Sequence, residues 1–291
     1  MSATLADTSV SVAPVSLAPP PIAPCFPIAP RGWRLNVADT PVARQAAAEF
    51  TSGFEEGTLQ FFDAVLPECD RMVDFGGFIG FTSLYAAAQG PSVDVFEPSP
   101  VNGALLEANL QANPRLAHRI RLHRHAVGAK DGNLFETVQR GSLLRGRAEA
   151  VVPVRNAVAV LEELGLSPDM LLKIDIEGAE YEVVPAIADL LRRERPFLHI
   201  SFHPFNIGRG TDEYLNQVAR LRGALAIAEA VAPYRHMYFH TPQGWTRIDK
   251  SDRMALLSQY LLKPKPVPRI ATPQYGFTDA LALSEVALPL G

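Results

Sequence analysis

The sequence is poor in cysteine and carries no large surplus of charge. Its 291 residues include only two cysteines, Cys25 and Cys69, too few for a disulfide framework or a cysteine-rich zinc site. The net charge of −4 gives no bulk electrostatic reason to expect nucleic acid or an anionic membrane as a partner. Two unrelated thiols are typical of a reducing compartment, so we expect a cytoplasmic protein.

Long hydrophobic runs are also missing. No stretch approaches the roughly 18 uncharged apolar residues of a membrane helix, and no basic segment precedes the apolar N-terminus as in a signal peptide. Hydrophobic residues make up 47% and charged residues 20% of the chain, which is enough apolar material for a sizeable core. These features predict a water-soluble chain with no membrane partner.

Proline marks both ends of the chain. Residues 1–30 contain seven prolines and one charged residue, so we predict a flexible surface tail that forms neither a regular helix nor a central strand. Residues 31–262 are expected to form the folded domain. Residues 263–291, again with several prolines, are expected to form an irregular C-terminal extension on the surface.

Between these ends, short apolar stretches alternate with helical patterns. The expected strands are residues 72–75, 93–96, 120–127, 170–176 and 197–202, and a continuous helix is expected over residues 179–193. This alternation predicts βαβ units in a doubly wound, mostly parallel α/β sheet. Residues 237–240 and 245–248 look like a hairpin that would add a reversed strand to this sheet.

The sharpest local pattern is the glycine turn, defined here as Asp74 to Gly80 with the sequence DFGGFIG. It follows an apolar strand and enters a helix, where a ligand can approach the backbone closely. Glu97 ends the next strand and suits a ribose diol, because a carboxylate accepts two hydroxyl hydrogen bonds. The glycine spacing differs from that of dinucleotide sites, and Asp74 would disfavour a pyrophosphate. The pattern favours S-adenosylmethionine over NAD, with a purely structural turn as the alternative.

A second pattern, KIDIEGAE, runs from Lys173 to Glu180. On an extended strand Lys173, Asp175 and Glu177 would share one face, where three charges are costly unless they are paired or face a cleft. A simple Lys173–Asp175 ion pair with acids at a helix start is the alternative. His203 follows the next strand and would lie beside these acids.

The glycine turn, the segment FEPSP from Phe96, Asn109 and KIDIEGAE together resemble the FkbM family of S-adenosylmethionine-dependent methyltransferases. The resemblance covers roughly residues 50–245. It implies a seven-stranded Rossmann-like sheet with a reversed terminal hairpin, and O-methylation of a sugar, glycan or secondary-metabolite hydroxyl. It also implies S-adenosylmethionine as cofactor and S-adenosylhomocysteine as product. The family usually has Ala-Asn where this chain has Gly77 and Phe78.

The resemblance also indicates which residues form the site. The implied cofactor contacts are Glu56, Thr58, Asp74, Gly76, Gly77, Phe78, Gly80, Glu97, Pro98, Ala126, Val127 and Asp175. An aliphatic hydroxyl needs a base before it can accept a methyl group, and we predict His203 in that role. Asp175 and Glu177 would orient His203 or the acceptor. Alternatively, His203, Asp175 and Glu177 could bind a divalent metal, but we do not predict a metal site.

Other functions stay open beside this prediction. One alternative is N-methylation or methylation of a nucleic acid, and another is a non-catalytic subunit that binds S-adenosylmethionine. A dehydrogenase is least favoured because of the glycine spacing. The expected partner is a small-molecule or glycan acceptor, and no feature of the sequence indicates the oligomeric state.

Overall fold

The computed structural model describes residues 24–137, 149–203, 212–241, 244–252 and 280–290. Its helices are α1 (Pro41–Thr51), α2 (Glu56–Val65), α3 (Phe81–Gln89), α4 (Pro100–Ala112), α5 (Pro114–Ala117), α6 (Ala157–Leu164), α7 (Glu180–Ala186), α8 (Ala188–Glu194) and α9 (Glu213–Val231). Its strands are β1 (Cys25–Ile28), β2 (Leu35–Ala38), β3 (Arg71–Phe75), β4 (Ser92–Phe96), β5 (Ile120–His123), β6 (Ala126–Gly128), β7 (Gly132–Thr137), β8 (Glu149–Asn156), β9 (Met170–Ile174), β10 (Phe197–Ser201), β11 (His236–Thr241), β12 (Gly244–Arg247) and β13 (Ala280–Ser284). In these segments no helix combines the length and apolar content that crossing a bilayer requires.

A mostly parallel sheet forms the centre of the molecule. Eight of the described strands belong to it, in the order β12-β11-β13-β10-β9-β3-β4-β5. The five strands from β10 to β5 in this order run parallel to one another, so their carboxyl ends lie at one edge of the sheet. The predicted doubly wound α/β fold is confirmed.

The reversed strand that enters the middle of the sheet is β13. It pairs antiparallel with both β10 and β11, and all five of its residues are buried. β11 and β12 form the expected hairpin, but β12 lies at the outer edge of the sheet. The prediction of an irregular surface extension after residue 262 is therefore wrong for Ala280–Ser284. Residues 263–279 of that extension lie outside the described residues.

Three other predicted segments differ from the structure. The expected third strand, 120–127, is divided between β5 in the central sheet and β6 in a separate sheet with β7 and β8. An expected continuous helix over 179–193 is divided into α7 and α8 near Pro185, because proline disrupts helical hydrogen bonding. Within the predicted tail, Cys25–Ile28 forms β1 and pairs with β2 outside the central sheet, whereas residues 1–23 are not described.

Apolar side chains cover both faces of the central sheet. Leu172 and Ile200 belong to the face that packs against α6 to α9, and Leu171 belongs to the face that packs against α1 to α4. Alternation along the strands puts three polar residues on the second face, and they are neighbours in register: Asp74, Lys173 and His199. This polar row lies directly below the carboxyl edge of the sheet.

Candidate functional site

The glycine turn joins the ends of three strands. The backbone N–H groups of Gly76 and Gly77 both donate to the carbonyl of Phe96, at 3.0 and 3.1 Å, at the end of β4. Gly76 has a φ of +92°, and a Cβ there would lie 1.8 Å from the carbonyl oxygen of Asp175. A Cβ on Gly77 would lie 2.1 Å from a methyl group of Val95. Both positions therefore require glycine for the strand ends to approach each other.

Glu97 lies against this turn, as predicted. Its carboxylate accepts hydrogen bonds from the backbone N–H groups of Phe78, at 2.8 Å, and Ser99, at 2.9 Å. Phe78 has a φ of +50°, which is uncommon for a bulky residue and marks a position held by its surroundings. Pro98 follows half-buried, and Gly80 begins α3 with a φ of +88°. The turn and Glu97 thus form one continuous surface.

Asp74 is turned away from the mouth of the turn, contrary to the expectation from the sequence. It is fully buried, and its Oδ2 accepts hydrogen bonds from the hydroxyls of Ser83, at 2.6 Å, and Thr82, at 3.2 Å. Its Oδ1 accepts a hydrogen bond from Lys173 Nζ at 3.0 Å. Asp74 therefore ties β3 to α3 and β9, and this position does not support a direct contact with a cofactor.

Lys173 supplies the positive charge beneath the site. Only 3% of its side chain is exposed, and its ammonium also donates to the carbonyl of Gly76 at 3.1 Å. Asp175 Oδ2 lies 3.5 Å from the same nitrogen. Burial lowers the pKa of Lys173, but the carboxylates of Asp74 and Asp175 outweigh burial and leave this pKa raised. The Lys173–Asp175 ion pair is present, as part of a larger network.

His203 lies among carboxylates after β10. Its Nδ1 is 2.5 Å from Glu180 Oε1, and its Nε2 is 3.6 Å from Asp175 Oδ1 and 4.0 Å from Glu177 Oε1. Burial lowers the pKa of His203, but Glu180 and the other acids raise it more, to about 9. The ring is therefore protonated at neutral pH, and an imidazolium donates hydrogen bonds but accepts no proton. This protonation state does not fit the predicted role of general base.

A tight turn separates the acids of the KIDIEGAE segment. β9 ends at Ile174, and Glu177 has a φ of +54° and is 56% exposed, so the expected shared strand face does not extend to it. Glu180, which sequence reasoning did not select, is fully buried and accepts a 2.6 Å hydrogen bond from the N–H of Gly178. Burial raises the pKa of Glu180 more than His203 lowers it.

Three of these side chains lie close enough together to be considered as metal ligands. Asp175, Glu180 and His203 each offer a ligand atom, all within 4.8 Å of one another. This trio has Glu180 in the place of Glu177, which the sequence analysis considered with His203 and Asp175. The expectation of no metal stays a prediction.

The start of α2 contributes a residue that the sequence analysis missed. Glu55 immediately precedes α2 and is half-buried. Burial and the nearby negative charge of Asp175 raise the pKa of Glu55 to about 7, although Lys173 acts in the opposite direction. The start of α2 is therefore electrostatically coupled to the end of β9.

Glu56, which the resemblance indicated as a cofactor contact, is not brought to this region. Its carboxylate forms an ion pair with Arg31 and accepts a hydrogen bond from Gln60 at 3.2 Å. Glu56 is the first residue of α2, whereas Glu55 precedes the helix with a non-helical backbone (φ −102°, ψ 15°). The adjacent pair of glutamates is visible in the sequence, but their different environments are not.

Thr58, also predicted, is buried beside the polar row. Its hydroxyl lies 3.4 Å from Nε2 of His199. Burial and the charge of Lys173 lower the pKa of His199 to about 3, so this ring is neutral. Within the part of the chain that the structure describes, His199 Nδ1 is buried without a hydrogen-bond partner.

Ala126 and Val127 lie in β6 rather than in the central sheet. Both are buried, and Val127 belongs to the core cluster that includes Phe96. At the ends of β4 and β5 in the central sheet, His123 stacks on Phe96 with ring centroids 4.3 Å apart. An adenine contact by Ala126 and Val127 stays a prediction.

A family model described as the methyltransferase FkbM domain matches residues 73–230, more than half of the 291 residues. The match spans the glycine turn, Glu97 and the KIDIEGAE segment. The chain belongs to the FkbM methyltransferase family. The predicted family is thereby confirmed, and with it S-adenosylmethionine as the cofactor of that family. A search of curated proteins finds no match to the chain.

Solved methyltransferases similar to this FkbM family member share little sequence with it. The methyltransferase FkbM from Methylobacillus flagellatus KT is 19% identical, over 57% of this chain and 45% of that chain, with a TM-score of 0.35. An O-methyltransferase from Bacillus cereus, solved in complex with S-adenosylhomocysteine, is 13% identical over 66% and 77%, with a TM-score of 0.39. TomG, an O-methyltransferase from Streptomyces achromogenes involved in tomaymycin synthesis, is 15% identical over 72% and 88%, with a TM-score of 0.37. The chain spans less than half the length of the first of these proteins.

Proposed function

We propose that this FkbM family member is an S-adenosylmethionine-dependent O-methyltransferase that acts on a hydroxyl of a sugar, glycan or secondary metabolite. The observation that carries the proposal is the meeting of the glycine turn, Glu97 and Asp175 at the ends of β3, β4 and β9. Doubly wound sheets bind their ligands at this edge. Membership of the FkbM family supports the methyl-transfer chemistry.

The residues at this edge fit S-adenosylmethionine. Glu97 is a carboxylate held in place by two backbone N–H groups, and such a group can accept hydrogen bonds from the hydroxyls of a ribose. Asp175 and Glu177 follow the end of β9, and their carboxylates complement a positively charged ligand. When bound, this cofactor supplies a methyl group that its sulfonium has already activated.

On the acceptor side we propose a role for His203, Asp175 and Glu177. The imidazolium of His203 is held by Glu180 and can donate from Nε2, so it would orient the acceptor oxygen rather than deprotonate it. A neutral small molecule or glycan fits this acidic region better than a nucleic acid, because carboxylates repel phosphates. The cytoplasm stays the proposed location, on the cysteine content alone.

Titration calorimetry with S-adenosylmethionine tests the cofactor site. We expect micromolar binding by the wild type and at least about tenfold weaker binding by Glu97→Gln, because a hydrogen bond to a charged group contributes about 1.5–3 kcal/mol. Glu107→Gln is the matched control, since this exposed glutamate of α4 pairs only with Arg124 among the described residues. An absence of binding by the wild type would contradict the proposed function.

The acceptor class is tested by S-adenosylhomocysteine formation with pooled hydroxylated glycosides and, separately, with pooled amines. We expect product with the hydroxylated pool. Product with amines alone would favour N-methylation, because the same acids would attract an ammonium group. Cofactor binding without product in either pool would favour the non-catalytic subunit.

A further inference from the structure

We propose that Asn102 is a positioning residue of the cofactor site, which holds the carboxylate of Glu97 in the orientation that accepts the hydroxyls of a ribose. The inference rests on the proposed function and adds to it a residue that acts through Glu97 rather than on the cofactor itself. Asn102 lies in the first turn of α4, and only 7% of the residue is exposed. It is therefore at the same edge of the sheet as Glu97 and the glycine turn.

The side chain of Asn102 contacts Glu97 through its nitrogen. Its Nδ2 donates a hydrogen bond to Oε1 of Glu97 at 3.3 Å. An ionised carboxylate only accepts hydrogen bonds, so the amide has to present its nitrogen to Glu97 and its oxygen to the other side. That oxygen, Oδ1, is buried without a hydrogen-bond partner within the part of the chain that the structure describes. The interaction that the amide makes with protein is therefore the one with Glu97.

Three hydrogen-bond donors hold the Glu97 carboxylate from different directions. The backbone N–H of Phe78 in the glycine turn donates to Oε2 at 2.8 Å. The backbone N–H of Ser99 donates to Oε1 at 2.9 Å, and Asn102 donates to the same oxygen. Because both oxygens are engaged, the carboxylate cannot rotate without breaking a hydrogen bond. Asn102 supplies the donor in this set that belongs to a side chain, so a substitution can remove it.

The start of α4 does not depend on the side chain of Asn102. Ser99 is the N-cap residue, and its Oγ accepts a hydrogen bond from the backbone N–H of Asn102 at 3.4 Å, a contact that a change of side chain leaves in place. Pro100 occupies the first helical position, where its fixed φ suits the helix. The unpaired Oδ1 also opposes folding and offsets part of what the Nδ2 hydrogen bond contributes. Asn102 therefore fits a role in orienting Glu97 better than a role in stabilising the helix.

The binding of two ligands distinguishes this role from a packing role. S-adenosylhomocysteine carries both ribose hydroxyls, whereas its dideoxy analogue lacks them. Titration calorimetry, with competition where binding is weak, gives a dissociation constant for each ligand. We expect Asn102→Ala to weaken the binding of S-adenosylhomocysteine by about three- to tenfold, because Glu97 is then less well oriented toward the hydroxyls. The affinity for the dideoxy analogue should stay within about twofold of the wild type, because this ligand has no hydroxyl for Glu97 to accept.

Asn102→Asp sharpens the test because it has nearly the same shape as the wild type. It replaces the nitrogen that faces Glu97 with a negatively charged acceptor, and two like charges at this distance repel. We expect at least about tenfold weaker binding of S-adenosylhomocysteine at neutral pH, a greater loss than in Asn102→Ala. A packing role predicts the opposite order, because alanine leaves a void that aspartate fills. Gln111→Ala, which removes an exposed amide from the same helix, is the matched control and should bind both ligands like the wild type.

The outcomes separate this inference from the proposed function. Equal effects of Asn102→Ala on the two ligands overturn the inference alone, as does binding of S-adenosylhomocysteine by Asn102→Asp that matches or exceeds that of Asn102→Ala. If circular dichroism shows that Asn102→Ala does not fold, Asn102→Asp decides the question: a loss confined to S-adenosylhomocysteine supports the inference, and equal effects on both ligands overturn it. A wild type that binds neither S-adenosylmethionine nor S-adenosylhomocysteine overturns the proposed function, and the inference with it.

Discussion

Replacing Lys173 with methionine tests the buried ion pair that lies beneath the site. The substitution keeps the length of the side chain and removes its charge. Asp74 would then stay fully buried with only the hydroxyls of Ser83 and Thr82 as side-chain donors. Removing one partner of a buried pair costs about 3–5 kcal/mol, and the two remaining hydroxyl donors place the expected loss near about 3 kcal/mol.

Urea unfolding, followed by tryptophan fluorescence and circular dichroism, measures this loss. With an m-value of about 2 kcal/mol/M, a loss of about 3 kcal/mol lowers the midpoint by about 1.5 M, and the m-value should not change. Lys130→Met is the matched control, because Lys130 is exposed in the turn before β7. We expect the control to lie within about 0.5 kcal/mol of the wild type.

A double variant, Asp74→Asn with Lys173→Met, completes the test. It removes both charges, so it should be more stable than the sum of the two single losses predicts. A loss below about 1 kcal/mol in Lys173→Met, or strict additivity in the double variant, would refute the view that charge compensation by Lys173 stabilises this region.

Two further changes have expected signs that follow from the structure. In Gly57→Ala the new Cβ would lie 2.4 Å from Nε2 of His240, so we expect about 1–3 kcal/mol of destabilisation in thermal unfolding, and an unchanged Tm would contradict this packing of α2. The pKa of His203 is raised from 6.5 to about 9, so protonation of His203 stabilises the folded state fully below pH 6.5. This stabilisation is lost as the pH rises through 9. The raised pKa of Glu180 has the same sign and is present in both proteins, so the wild type should lose at most about 3 kcal/mol more than His203→Gln between pH 6.5 and 9.5, and parallel stability curves would exclude the coupling.

The architecture was predictable because local patterns encode most of it. Parallel strands that are covered on both faces appear as short apolar runs, and their alternation with helices limits the topology to a doubly wound sheet. The strand β13 was not predictable. Its five residues, ALALS, show no alternation of apolar and polar side chains that would predict a strand. They form a strand through antiparallel pairing with both β10 and β11.

Within the site, the residues that lie at strand ends and in the glycine turn were predictable from local patterns. Glu97 and Asp175 were predictable because the carboxyl ends of parallel strands meet at one edge, whatever the surrounding packing. The orientation of Asp74 could not be predicted, because it depends on tertiary contacts with hydroxyls of α3 and with Lys173 of β9.

The protonation states belong to the tertiary structure for the same reason. A pKa depends on burial and on every charge within a few ångströms, and those neighbours come from separate parts of the chain. His203 is protonated because Glu180, 23 residues earlier, contacts its ring. Burial and the negative charge of Asp175 raise the pKa of Glu55 to about 7. The sequence indicates which ionisable side chains lie at the site. The folded structure determines which of them can hold or release a proton.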